Sequence, residues 1–141
     1  MENRLFDLTG MTALVTGAAG GIGSAIAHAL ARQGARLALS GSNAAKLRAF
    51  REELNAAYGH DHVEITCDLS QPDQVEHLVP ATVDTLGKID ILVNNAGITR
   101  DNLAMRMKDD EWDAVIRVNL EAAFRLMRDA AKPMMKARYG R

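Results

Sequence analysis

Residues 16–23 read Thr-Gly-Ala-Ala-Gly-Gly-Ile-Gly. They lie between an apolar run, residues 11–15, and an amphipathic stretch, residues 21–33. A buried strand that passes through a glycine-rich turn straight into a helix leaves few folds open. The helix start offers unpaired backbone N–H groups and the positive end of its dipole. In a parallel α/β sheet that is the place where a dinucleotide pyrophosphate sits. The spacing here is Gly-x-x-x-Gly-x-Gly, which differs from the Gly-x-Gly-x-x-Gly dinucleotide fingerprint. In this reading Gly17 allows the tight turn, Gly21 lets the backbone approach a ligand, and Gly23 lets helix and strand pack closely. The bland alternative is a turn whose glycines serve helix packing alone, and a single motif does not exclude it.

The rest of the chain alternates strand and helix signals. Strands are predicted over residues 11–15, 36–40, 62–67 and 89–94, the last a continuous apolar run that suggests burial on both faces. Helices are predicted over 21–33, 43–58 and 71–86, with Asn43 and Ser70 as caps and Pro72 early, where proline is tolerated. A loop over 96–108 leads into a long helix from Asp109 to near Lys136, with Pro133 as a candidate bend. This order predicts a three-layer, doubly wound, Rossmann-type parallel sheet with right-handed crossovers. Residues 1–141 read as a single, partial dinucleotide-binding domain. The sheet looks truncated after the fourth strand and the helix that follows it. That would leave the fourth strand as an apolar, unprotected edge, which natural sheets avoid.

Charge and composition exclude little. A formal net charge of −1 gives no global pull towards nucleic acid or membrane, and no apolar run approaches the length of a membrane span. Residues 1–7 carry no apolar signal core. Cys67 is the only cysteine, so no intrachain disulfide is available, which is compatible with a reducing cytoplasm. The four histidines, His28, His60, His62 and His77, form no metal pattern, and no metal is expected. Cys67 reads as a small core residue, and Met127, Met134 and Met135 as packing residues, in the core or at an interface. The segment 124–141 holds six basic residues, Arg125, Arg128, Lys132, Lys136, Arg138 and Arg141, against one acid, Asp129. It is either a solvated helix end or a face for an acidic partner.

Four motifs then agree in order and spacing: Thr16-Gly17-x-x-x-Gly21-Ile22-Gly23, Asp68-Leu69, Asn94-Asn95-Ala96-Gly97 and Val118-Asn119-Leu120. Together they resemble the short-chain dehydrogenase/reductase family over nearly the whole chain. Residues 90–103, with Met105-Arg106-Met107-Lys108 and Glu111-Trp112, narrow the likeness to the bacterial 3-oxoacyl-[acyl-carrier-protein] reductases, with the nodulation-associated reductases as near relatives. The resemblance implies an NADP(H)-dependent oxidoreductase of fatty-acid biosynthesis, cytoplasmic and homotetrameric. It implies cofactor contacts from Gly17, Ala18, Ala19, Gly20, Gly21, Ile22 and Gly23 at the pyrophosphate. Asp68 and Leu69 would stand at the adenine, and Asn95, Ala96 and Gly97 at the ribose. Asn119 would take the catalytic role of anchoring a water in a proton relay, and Arg138 would dock acyl carrier protein. A non-catalytic dinucleotide-binding product, an inactive truncated product, or a short-chain reductase with another acyl or small carbonyl substrate, are the alternatives.

Cofactor choice is partly legible from the residues. Sites for NAD often carry an acid after the second strand to hold the ribose 2′-hydroxyl. Here the segment is Ser40-Gly41-Ser42-Asn43, so a 2′-phosphate meets no repulsion and Ser42 can donate to it. This favours NADP(H). Two features run against it: Gly20 stands where many NADPH-using relatives carry a basic residue, and no arginine occupies position 42. The family's chemistry also requires a serine and a Tyr-x-x-x-Lys pair, in which the lysine lowers the tyrosine pKa. Neither Tyr58 nor Tyr139 is followed by such a lysine. The expectation is therefore a cofactor-binding half, with the missing groups in sequence beyond Arg141.

Overall fold

The computed structural model describes residues 6–59 and 61–141. Residues 1–5, part of the segment read above as free of a signal core, and His60 lie outside the described residues. Four parallel strands, β1 (Thr12–Thr16), β2 (Arg36–Gly41), β3 (Val63–Thr66) and β4 (Ile91–Val93), form one sheet in the order β3-β2-β1-β4. The helices are α1 (Gly21–Arg32), α2 (Ala44–Tyr58), α3 (Pro72–Leu86), α4 (Asp109–Val115) and α5 (Ala122–Ala137). Position in the sheet explains the burial. β1 is central and every residue in it is buried, as a parallel strand covered on both faces must be.

The period-two alternation of the strands sorts the core into two layers. Ala13 and Val15 of β1 with Leu37 and Leu39 of β2 meet Ala27 and Ala31 of α1 and Leu47, Phe50 and Leu54 of α2. On the other face Leu14 and Ala38 meet Val75, Leu78 and Val79 of α3 and Ala122, Leu126 and Ala130 of α5. The Rossmann-type three-layer arrangement is thus the predicted one.

Several local expectations need correction. β3 and β4 are shorter than predicted, at Val63–Thr66 and Ile91–Val93. Ser70 does not cap α3: its N–H and hydroxyl both donate to Asp68 Oδ1, at 2.9 and 2.7 Å. Gln71 is the cap residue instead, and Pro72 opens the helix. Asn43 does cap α2, accepting from the Lys46 N–H at 3.0 Å. The loop after β4 contains a short 3-10 turn, Ala104–Arg106. The long last helix is interrupted by a π-wound segment, Ile116–Glu121. Pro133 sits within α5 without ending it. Met134 packs into the second core layer, whereas Met127 and Met135 are exposed.

The edge of β4 is not bare along its length. The Arg141 N–H donates to Asp90 O at 2.9 Å, and the Leu92 N–H donates to Arg141 O at 2.9 Å. These two bonds are a parallel pairing of Arg141 beside Ile91. They place the end of α5 at the amino ends of the strands.

Candidate functional site

All four strands run the same way, so their carboxyl ends gather at one edge of the sheet. A cleft of about 530 Å³ opens there. It is lined by the glycine turn after β1, by Gly41 at the end of β2 and Ser42, Asn43 and Lys46 beyond it, and by Asn95, Ala96 and Gly97 after β4. A second cavity of about 210 Å³ adjoins it, sharing Gly17, Gly41, Ser42, Ala96 and Gly97 and adding Asp68, Leu69 and Val118. The size lies in the range of a small-molecule site. The place is the topological switch point, where β1 is flanked by β2 on one side and β4 on the other.

The glycines of the turn divide the work. Gly17 has φ +60°, a left-handed conformation that a side chain would strain. A Cβ on Gly23 would lie 1.9 Å from Gly17 O and 2.7 Å from Asn95 Nδ2, so α1 can approach the turn only without one. A Cβ on Gly21 would meet nothing within 4 Å. Gly21 therefore faces the open cleft, and its missing side chain is space for a ligand. No side chain caps α1 and no acid stands in its first turn, so its first N–H groups and its positive dipole end face the cleft uncompensated. Ile22 is exposed on the rim. Two N–H groups of this segment are already committed: that of Gly20 donates to Gly17 O at 3.2 Å, and Ala18 is the second case. It is fully buried and its N–H is spent on Ser40 O at 3.0 Å, so it stiffens the turn from below and presents no donor to the cleft.

Thr16 fixes the turn to the end of β4. Its Oγ1 accepts from the N–H groups of Asn95 and Ala96, at 3.1 and 3.0 Å, and donates to Val93 O at 3.3 Å. Asn95 Nδ2 returns the link, donating to Thr16 O at 3.0 Å and Gly17 O at 3.3 Å. Asn95 is therefore a brace, and Ala96 and Gly97 are the small residues that form the wall. Behind Gly97 stands Asn119. Its Oδ1 accepts from the Ile98 N–H and its Nδ2 donates to Ile98 O, both at 2.8 Å. Asn119 lies in the π-wound segment, a helix irregularity that recurs at functional sites. The two bonds hold the strand-to-loop exit after β4 against this helix.

On the opposite side Asp68 and Leu69 line the smaller cavity. Asp68 Oδ1 is used by Ser70, while Oδ2 accepts no hydrogen bond from the described residues. Leu69 also packs against the second core layer, so it is wall and core at once. Burial pushes the Cys67 thiol up to about 11, and the Asp68 carboxylate adds to the effect. Such a thiol is inert, in keeping with a core role.

Comparison with known proteins now bears on this arrangement. The family model described as short chain dehydrogenase matches residues 11–141. The chain belongs to the short-chain dehydrogenase family. Among curated relatives of this short-chain dehydrogenase, Nodulation protein G of Rhizobium sp. (strain N33) is 49% identical over 138 residues, which cover 97% of this chain and 54% of that protein. The 3-oxoacyl-[acyl-carrier-protein] reductase FabG of Rickettsia bellii (strain RML369-C) is 47% identical over 137 residues, 97% of this chain and 54% of the relative. Among solved structures, a metagenomic short-chain oxidoreductase in complex with NADP superposes with a TM-score of 0.89 at 42% identity, covering 94% of this chain and 60% of that one. L-Sorbose reductase from Gluconobacter frateurii, complexed with NADPH and L-sorbose, gives 0.90 at 30% identity, covering 94% and 50%. The chain spans about half the length of the curated relatives it matches.

Arg138, read from the sequence as a docking residue, and the two tyrosines that the sequence sets aside as catalytic groups do not line the cleft of this short-chain dehydrogenase. Arg138 ends α5 in the left-handed region, φ +54°, where glycine is the usual residue. It stands at the amino-terminal edge of the sheet, opposite the glycine turn. Tyr58 bonds His28 Nδ1 through its hydroxyl at 3.1 Å, between α1 and α2. Tyr139 lies beneath the Arg141 guanidinium. Neither tyrosine lines the cleft. Three contributors escape the sequence reading. Thr16 is read only as the first residue of the glycine-turn motif, and its bracing role depends on contacts 79 and 80 positions away. Asn43 is legible as a cap but not as a wall. Lys46 follows Ser42 by one helical turn, and that spacing was the available signal.

Proposed function

We propose that this chain forms the nucleotide-binding part of an NADP(H)-dependent reductase that converts 3-oxoacyl-[acyl-carrier-protein] to the 3-hydroxyacyl form during fatty-acid biosynthesis in the cytoplasm. The observation that carries the dinucleotide reading is the cleft around the glycine turn, continuous with a second cavity beside Asp68. The N–H groups of Ala19, Gly21, Ile22 and Gly23 would hold the pyrophosphate, with Gly17 and the Gly20 N–H bond to its carbonyl setting the turn. Asp68 Oδ2 would accept from an exocyclic amine, with Leu69 as the apolar wall. Ala96 and Gly97 would bound the ribose, held by Asn95. When bound, the nicotinamide would supply the hydride. Asn119 is assigned a positioning role in proton delivery, since both ends of its amide already hold Ile98.

The acyl-carrier-protein substrate is supported by the likeness to FabG proteins and by the basic run that contains Arg138. An acidic partner docking there would bind in a salt-sensitive way. The end of α5 faces away from the cleft, so Arg138 could serve a neighbouring protomer's site. A homo-oligomer, a tetramer in the family reading, is supported by Trp112, Leu120, Phe124, Met127 and Met135, all exposed on the last helical stretch. A second reading, a reductase for another acyl or small carbonyl compound, is favoured by an identity to Nodulation protein G comparable to that with FabG, and by the structural likeness to a sorbose reductase.

The discriminating experiment follows NADPH consumption by the full-length gene product with acetoacetyl-acyl carrier protein, with the free acetoacetyl thioester and with a ketose. Preference for the carrier-bound substrate, lost at high salt, is expected. Preference for the ketose would favour the second reading. NADPH binding without turnover on any of them would leave a binding module.

A further inference from the structure

Lys46 is the only charged side chain among the described residues that line the main cleft. It stands beside Ser42 and Gly20, and it forms no ion pair with any described residue. The turn from β2 into α2, residues 40–43, contributes no carboxylate, and α2 has no acid in its first turn. Lys46 also lines the neighbouring groove, where Glu53, the one acid among the described lining residues, is engaged by His28 Nε2 at 3.2 Å. An ammonium on a long, flexible stem, with no ion pair among the described residues, therefore stands where a cleft walled by small neutral residues borders the neighbouring groove. A cation in that setting selects an anionic group on whatever fills the cleft.

We propose that Lys46 reads the ribose 2′-phosphate of NADP(H), and that cofactor selectivity in this chain runs through α2 instead of through the glycine turn. The inference rests on the dinucleotide reading above. It resolves the two features of the sequence that argue against NADP(H): the cation missing at Gly20 and at position 42 is supplied one helical turn further along. Ser42 donates from its hydroxyl, and Lys46 provides the charge. Gly20, with extended backbone at φ −81° and only Gly17 O near a hypothetical Cβ, at 3.4 Å, leaves the approach clear.

The test measures NADPH and NADH binding by calorimetry on the full-length gene product, wild type, Lys46→Gln and Lys46→Arg. Lys46→Gln is expected to weaken NADPH about tenfold, the scale of one charge-assisted contact, while NADH changes less than about twofold. The salt dependence of NADPH binding falls with it. Lys46→Arg retains the NADPH preference, and Gly20→Arg added to Lys46→Gln restores it, because the charge and not the aliphatic stem is what counts. Unchanged NADPH and NADH affinities in Lys46→Gln, with wild type binding both, would overturn the role of Lys46 and leave the dinucleotide reading standing. No binding of either nucleotide to wild type would overturn both.

Discussion

At the scale of single residues, the glycine turn is where sequence and structure meet most closely. Gly17, Gly21 and Gly23 look alike in the sequence, and spacing alone assigns them different duties. The geometry separates them by what a methyl group would touch. Gly23→Ala places a Cβ against Gly17 O, and relieving that overlap is expected to cost about 3 kcal/mol of stability. Gly21→Ala meets open space and is expected to change stability by less than about 1 kcal/mol, as alanine is the better helix former. It should still weaken dinucleotide binding, because the methyl occupies the ligand's space. Urea unfolding paired with an NADPH titration of both variants checks the contrast. Loss of stability in both, or in neither, would contradict it. Ala18 shows the opposite lesson. It lies within the same motif, yet it is buried with its N–H committed to Ser40 O, and no motif spacing reveals that.

At the scale of elements, what was legible depended on locality. Asn43 caps α2 because its side chain needs only the next turn, a preference read directly from sequence. Ser70 looked like the same case, but Asp68 two residues earlier captures both its donors. The π-wound segment around Asn119 escaped prediction, since a helix period does not betray one extra residue in a turn. Long-range ties such as Thr16 to Asn95 were invisible for the same reason. Another such tie anchors β1 to the approach to β4. Asp90 Oδ2 accepts from the Thr12 N–H at 2.8 Å and pairs with Lys88 Nζ at 2.9 Å. Burial by itself would raise the Asp90 pKa. The hydrogen bond and charge of Lys88 and the bonds from Thr12 outweigh it, and the pKa falls below its ordinary 3.8. A carboxylate with a depressed folded-state pKa stabilises the fold above the unfolded value, and that contribution disappears as pH falls through the folded value. Asp90→Asn is therefore expected to be less stable than wild type at neutral pH, with the gap closing below about pH 4. Urea midpoints of both proteins from neutral to acid pH test this. A gap that stays constant would mean that packing, not charge, carries the role of Asp90.

At the scale of the whole molecule, the three-layer sheet was legible because two periodicities coincide. Alternating strand residues send Ala13 and Val15 to one layer and Leu14 to the other, and the helices supply matching apolar faces to both. That arrangement brings the ends of four strands together and forms the two adjoining cavities from residues scattered between positions 16 and 118. The expectation of an uncovered β4 edge was too simple, since Arg141 already pairs beside Ile91. Placement of the basic run was not legible either. Only the direction of α5, fixed by that pairing, shows Arg138 at the far edge of the sheet from the glycine turn.

The central claim is that this cleft binds a dinucleotide across the carboxyl ends of the strands. An amide NMR titration of the 141-residue chain with NADPH tests it most directly. Saturable shifts concentrated at Ala19 to Gly23, Ser42, Asp68, Leu69, Ala96 and Gly97 are expected, with the residues around Arg138 unmoved. Shifts centred away from the glycine turn, or none at millimolar NADPH in a folded sample, would contradict it.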